Sequence, residues 1–431
     1  MKKLFYFATA AALTLASCHK DKEDSVTPSE PNGTSDVKEA LSNTSAQEKL
    51  ENYATEFINK FKPEDQKNAI TTLNALANLF DELDAPQGWD KDEEEDAYSK
   101  RAKSKKNIVA SYAKNLSESL SKKDYGKATE VDDDFFFDFD EYAGIYEAKD
   151  KEWVRTDSKD IVFKFKSEGK DCEFKAVKKG GNVEETFNDD GDKYKIGAPA
   201  GVEISLTCGG ETLVSTSASA DYKTRESLVV NVTCTVANLS VTSETSINNT
   251  KISDKQTVAI DGNTLIWTEA SAEGNHFTDL SHYESLCADD DEDTELKTKD
   301  YVSSYNVKVN IMGNIQITSD MELDDYFTNL DAFDYNREDK ASVDEYCRAW
   351  NNSYHVKFYF SGTDVQQGTI KMQSVLEDSW YTYEEWGTQP VICFENDGTS
   401  FAFEDYFNED KFADTDNQVQ TLFDKYEAYW N

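Results

Sequence analysis

Asn306-Val307-Lys308-Val309-Asn310-Ile311-Met312-Gly313-Asn314-Ile315-Gln316-Ile317-Thr318 is the stretch that decides the fold class. Its Val and Ile residues alternate with polar neighbours at nearly every second place. Successive side chains of a strand point to opposite faces, so the stretch reads as one long strand with a core on one side and water on the other. A parallel sheet sandwiched between helices would instead show near-continuous apolar runs. The pattern predicts a large antiparallel sheet, one-sided or curved.

The same period extends in both directions. Upstream it takes in Phe135, Phe137 and Phe139, then Ile161, Phe163 and Phe165, and then Val202–Cys208, Leu228–Val236, Leu239–Ile247, Val258–Ile260 and Leu265–Thr268. Downstream it resumes at Tyr354–Phe360, Thr369–Leu376, Trp380–Glu385 and Val391–Phe394. Asp261-Gly262-Asn263 is a hairpin turn signal, and Gly180-Gly181 and Gly209-Gly210 read as hairpin glycines. Strands that follow strands exclude βαβ units. Two short helices are expected within the run, at Glu322–Phe333 and from the capping box Ser342-Val343-Asp344-Glu345 through Trp350.

Before Asp132 the period is helical. Ser45-Ala46-Gln47-Glu48 reads as a capping box, followed by the stripe Leu50, Tyr53, Ala54, Phe57, Ile58 and Phe61. Pro63 with Glu64 and Asp65 opens a second helix, whose buried face is Ile70, Leu73, Leu76, Ala77, Phe80 and Leu83. Ile108, Tyr112, Leu116 and Leu120 mark a third. At the other end, Val419, Leu422, Phe423, Tyr426 and Trp430 predict a terminal helix with that stripe inward. The fold class is therefore α+β. An N-terminal helical segment, 37–124, packs on a large antiparallel β-sheet region, 132–410, and a C-terminal helix, 411–431, completes it.

Charge limits the partners. With 85 Asp and Glu against 45 Lys and Arg, the formal net charge is −40. A field of that sign repels phosphate backbones, which excludes nucleic acid. So many acids also deprive any single carboxylate pair of meaning as a catalytic signal. The acid run Asp289-Asp290-Asp291-Glu292-Asp293 reads as a solvated loop. Asn188-Asp189-Asp190-Gly191 and Glu395-Asn396-Asp397-Gly398 approach the EF-hand pattern, but the first puts Gly197 at the twelfth position and the second Cys393 at the first. Of the histidines, His355 alternates with Val356 and Phe358 and is expected to face solvent, while His276 and His282 have no ligand partners at metal spacing. No triad, P-loop or dinucleotide fingerprint is present, so no catalytic residue, cofactor or metal is assigned. The best surface-binding stretch is Trp380-Tyr381-Thr382-Tyr383-Glu384-Glu385-Trp386, whose rings could stack on a glycan. Cys172, Cys208, Cys234, Cys287, Cys347 and Cys393 are even in number, which permits disulfides. Their scattered spacing on apolar strand faces reads instead as small buried hydrophobes.

The start of the chain carries a family resemblance. Met1-Lys2-Lys3, an apolar run from Leu4 to Leu15, and Leu15-Ala16-Ser17-Cys18 have the layout of a secretory signal too short to span a bilayer. They resemble a bacterial lipoprotein precursor, residue for residue across the lipobox. The resemblance implies that residues 1–17 are removed and that Cys18 carries the lipid attachment, with its new amino group acylated. Two or three chains make such anchoring lasting where one does not. His19-Lys20-Asp21-Lys22-Glu23-Asp24 resembles the surface-export signal of Bacteroidota-type outer-membrane lipoproteins. This implies display on the outside of the outer membrane, on a Ser/Thr/Pro-rich linker over 18–36 that lacks the apolar content to fold. Gly144-Ile145-Tyr146 and Trp153, opening the sheet, also look like an uncharacterised family of such lipoproteins. The expected function is a surface-displayed, non-enzymatic binding protein whose ligand is an extracellular glycan or protein. The alternatives are a lipid carrier resembling LolA-type proteins, which would use a curved sheet's apolar face, and a glycan-hydrolysing lipoprotein.

Overall fold

A computed structural model of the chain describes residues 39–83, 139–149, 152–189, 192–223, 226–278, 302–322, 336–360, 365–377, 385–407 and 409–430. The protein is sheet-rich α+β. Among the described residues sixteen strands lie in hydrogen-bonded order β16 to β3, following the chain, with β1 and then β2 beyond β3. Given pairings are antiparallel except that β1 (Gly144–Lys149) runs parallel to β3 (Ile161–Ser167), with Gly144 beside Ile161 and Glu147 beside Lys164. The chain leaves β1 through a hairpin to β2 (Glu152–Thr156) and returns on the other side of β1. The described residues fall into two compact units. The larger takes those within 1–63, 221–231 and 238–425, and the smaller those within 64–220, 232–237 and 426–431.

In the larger unit, α1 (Asn43–Ile58) turns Ala46, Leu50, Ala54 and Phe57 inward. They share one hydrophobic cluster with Val307, Val309 and Ile311 of β11 (Val302–Ile311), Ile315 and Ile317 of β12 (Ile315–Glu322), and Val356, Phe358 and Phe360 of β13 (Tyr354–Phe360). Phe403 and Tyr406 of α5 (Phe403–Tyr406), with Phe412 of α6 (Glu409–Trp430), belong to the same cluster. On β14 (Gln366–Glu377), a Cβ at Gly368 would lie 2.5 Å from the Phe358 ring, so the strand needs a glycine to accept that ring. The unit also holds β8 (Leu239–Asn248), β9 (Lys251–Ile260), β10 (Asn263–Gly274), β15 (Glu385–Phe394), the short edge β16 (Ser400–Ala402) and α4 (Lys340–Ser353).

In the smaller unit, α2 (Pro63–Glu82) contributes Ala69 and Leu76 to a cluster with β1–β3, β4 (Lys170–Asp189), β5 (Asp192–Cys208) and β6 (Glu211–Lys223). The ring of Phe163 stacks on Tyr146 at 4.8 Å and meets Phe80 at 4.9 Å and Trp153 at 5.1 Å. A one-turn helix, α3 (Phe139–Tyr142), precedes β1, and β7 (Ser227–Val236) is divided between the units.

Several expectations need correction. Asn306–Thr318 is a hairpin rather than one strand: Met312 and Gly313 take φ of 53° and 68°, and Asn314 N–H closes on Ile311 O at 2.8 Å. Ile311 and Ile315 then lie opposite each other, and opposed residues share a face. The four-residue offset therefore keeps the apolar alternation unbroken through the turn. Gly180-Gly181 is not a hairpin turn; it sits inside β4 at the register shift between Lys179 and Asn182, a bulge with Gly180 at φ 71°. Phe139 opens a helical turn rather than ending a strand.

Both capping boxes are displaced by one turn. Ser42 caps α1, accepting from Ser45 N–H, and Asp339 caps α4, accepting from Ala341 N–H. In each case a second competent cap lies three residues upstream of the one singled out. On α6, Phe423 points outward at 58% exposure, while Val419, Leu422 and Tyr426 are half-buried. The expected third helix, Glu322–Phe333 beyond its first residue, and Trp380–Glu384 lie outside the described residues.

Candidate functional site

The smaller unit has a shallow polar depression, with room for about one water molecule, between α2 and two hairpin turns. The turns are built alike. Glu168-Gly169 joins β3 to β4 and Gly209-Gly210 joins β5 to β6, all four residues with positive φ. Two-residue loops of that hand match the strand twist, and glycine supplies the conformation without steric cost. Gly209 N–H donates to Asp171 O at 2.9 Å and ties one turn to the other. Asn68, Thr71 and Thr72 come from α2, Ser167, Glu168 and Lys170 from the first turn, and Cys208, Glu211 and Leu213 from the second.

The lining is mostly polar, with three exposed charged residues. Thr72 is 3% and Ser167 6% exposed. Thr71 Oγ1 donates back to Lys67 O at 3.0 Å, the usual local outlet for a helical threonine. Glu168, Lys170 and Glu211 are exposed and enter no ion pair among the described residues. Under one wall lies a disulfide between Cys172 and Cys208, which are directly opposed on β4 and β5. This corrects the reading of those two cysteines as packing residues. Strand alternation put each on an apolar face but could not show that register would set them side by side. Cys234, Cys347 and Cys393 are free thiols.

No protein-family model, curated protein or solved structure matches this chain. The depression must therefore be read from its own chemistry.

The residues singled out from sequence are scattered. Cys18, Asp289–Asp293, His282, Trp380, Tyr381 and Tyr383 lie outside the described residues, as do Asp190 and Gly191 of the first near-EF-hand. Trp386 is half-buried on β15, with Lys340 Nζ 5.1 Å from its ring centroid. The same ammonium bonds Asp344 at 2.7 Å and Ser374 at 3.2 Å, so the face it covers is not open for stacking. Beside it, Arg337 bonds Glu377 and lies 3.7 Å from Glu385. His355 stands on the polar face, as expected, but its Nδ1 pairs with Asp320 at 2.9 Å.

The second near-EF-hand does different work. Asp397 accepts from the Asn43 backbone N–H at 2.9 Å and from the Asn43 side chain at 2.9 Å, and holds the Thr399 N–H at 3.0 Å. Leu41 N–H donates to Gln367 Oε1 at 2.9 Å, Tyr406 hydroxyl to Asn43 O at 2.9 Å, and Asn396 to Ala40 O. These bonds fasten residues 40–43 to the β15–β16 loop. The Thr399 hydroxyl first, then the Asn43 and Thr399 amides, hold the Asp397 carboxyl well below the usual carboxylate range. Among the described residues no three His, Cys, Asp or Glu are placed to hold a metal ion.

Proposed function

We propose that the chain is an exported, lipid-anchored binding protein, displayed on the outer membrane through Cys18 and without enzymatic activity of its own. The observation that carries the reading is the Cys172–Cys208 bond in a chain whose first residues have the layout of a secretory signal. Disulfides persist in oxidising compartments and are rare in the cytosol. In this reading the ligand is an extracellular glycan or protein, and nucleic acid is excluded by the −40 charge.

The test is protease digestion of intact cells expressing the wild type or Cys18→Ala, with a periplasmic protein as the leakage control. The reading expects the wild type to be cleaved and the variant to leave the membrane fraction. Full protection of the wild type in sealed cells would overturn surface display. Membrane retention of the variant would overturn the lipid anchor.

A further inference from the structure

We infer that the sheet face around Asp254, on β8–β10 of the larger unit, is a binding site for a primary ammonium group on an aliphatic stem, the chemistry of a lysine side chain on a partner protein. The inference rests on the reading of the chain as a binding protein, but not on where the protein is displayed. Register builds the site. Thr245, Asp254 and Ala270 are opposed across β8, β9 and β10, and Ser243, Gln256 and Thr268 are opposed two residues along, so all six share one face.

Asp254 has hydrogen bonds but no counter-charge. Its oxygens accept from Thr245 Oγ1 at 2.7 Å and from Gln256 Nε2 at 3.0 Å, and it enters no ion pair among the described residues. Burial raises its carboxyl, opposed only by hydrogen bonds from Thr245, Gln256 and Ser243. A carboxylate drawn partly out of water without a cation costs the fold free energy. Beside it Thr268 is 6% exposed, and its hydroxyl oxygen is buried with no hydrogen-bond partner among the described residues. Buried polar groups are ordinarily satisfied. Diagonal neighbours on a sheet face lie about 7–8 Å apart, so one small group between Asp254 and Thr268 meets both.

A primary ammonium brings one positive charge for the carboxylate and three N–H donors for the oxygens around it. Calcium would take about six to eight oxygen ligands, and this face offers a single carboxylate. The approach is open on the β8 side, where Gln256 is exposed and Val241, on the same face, is 42% exposed. On the other side of Asp254, Ile247 and Ile252 are opposed on this face and half-buried. They stand two residues, or about 7 Å, along the strands, which is the reach of a lysine stem. Such stems lie on apolar surface with the charge beyond it. The chain's charge of −40 draws a basic partner toward it.

The test titrates the full-length protein in detergent, at physiological ionic strength, with n-butylammonium and Nα-acetyl-lysine methylamide by ligand-observed NMR. Tetramethylammonium, which has the charge but no N–H, reports the diffuse attraction of an acidic surface. Saturable binding of both amines is expected, about tenfold or more tighter than that of tetramethylammonium. Asp254→Asn should raise Kd about tenfold or more, and Thr268→Val about threefold or more. Glu244→Gln removes the same charge from the opposite face and should leave Kd unchanged. Should Thr268→Val melt early, Ser243→Ala is read in its place, with a rise of about threefold expected. Absence of saturable amine binding, binding no tighter than that of tetramethylammonium or potassium ion, or binding that Asp254→Asn leaves unchanged overturns the inference. None of these results bears on surface display, which the digestion experiment decides separately.

Discussion

The two units bury helices and sheet in different ways. In the larger, α1 shares a cluster with β11–β13, and the chain entering that helix is held by neutral hydrogen bonds and one carboxylate, centred on Asp397. In the smaller, α2 meets an aromatic stack around Phe163, and two neighbouring strands are joined covalently through Cys172 and Cys208. Polar fastening can be undone by solvent and by protonation. Aromatic packing and a covalent link respond instead to side-chain volume and to reductant. The same architecture should therefore fail under different insults.

The largest effect is expected at Phe163, 3% exposed and in contact with four other rings. Phe163→Ala should cost about 3–5 kcal/mol, the range for phenylalanine truncation in a core. Denaturant unfolding followed by hydrogen exchange should show the loss in the smaller unit, with β11–β13 protected as before. Uniform loss of protection would mean that the units unfold as one. Next comes the disulfide. Cys172→Ala with Cys208→Ala opens a link between residues 36 apart and should cost about 2–4 kcal/mol. Dithiothreitol on the wild type should reproduce the shift, and no shift with either would remove the covalent half of the contrast.

A smaller effect belongs to Asp397→Ala, read as a lower melting temperature and faster proteolysis near Ala40. Because the Asp397 carboxyl is held below its ordinary value, its contribution is present above the unfolded carboxylate range and is lost as pH falls through the lower, folded value. The melting difference between variant and wild type should therefore shrink on strong acidification. A constant difference would assign the effect to packing instead.

Asp254 should show the smallest effect, and the opposite sign. Burial pushes its carboxyl up, against hydrogen bonds from Thr245, Gln256 and Ser243 that pull it down. Its ionised form thus weighs against the fold at neutral pH, and this is relieved as pH falls through the raised value. Asp254→Asn should stabilise by about 1 kcal/mol or less at pH 7, with the gain fading on acidification. Destabilisation at pH 7 would show that the three hydrogen bonds outweigh burial.

Much of the fold was legible because period alone carries it. The stripe on α1, the Pro63 start of α2, the Tyr354–Phe360 strand and the Asp261-Gly262 turn all stand where local chemistry puts them. Where local chemistry offered two equal answers, sequence chose wrongly. Ser45 and Ser342 are good caps, but Ser42 and Asp339 are equally good and allow a longer helix. The candidate depression was not legible at all. Thr72, Ser167 and Glu211 are ordinary residues on a helix and near two turns, and they share a wall only because β3–β6 pair in sequence beside α2.

The sequence by itself determined the class of structure and the sign of the charge, because periodicity and composition are local properties. Tertiary structure alone decided that Cys172 faces Cys208, that Asp397 fastens Asn43, and that Thr72 and Ser167 line one depression. Each of those depends on strand register and helix placement, which bring together residues from 36 to 354 positions apart in the first two cases. No local pattern fixes a separation of that kind.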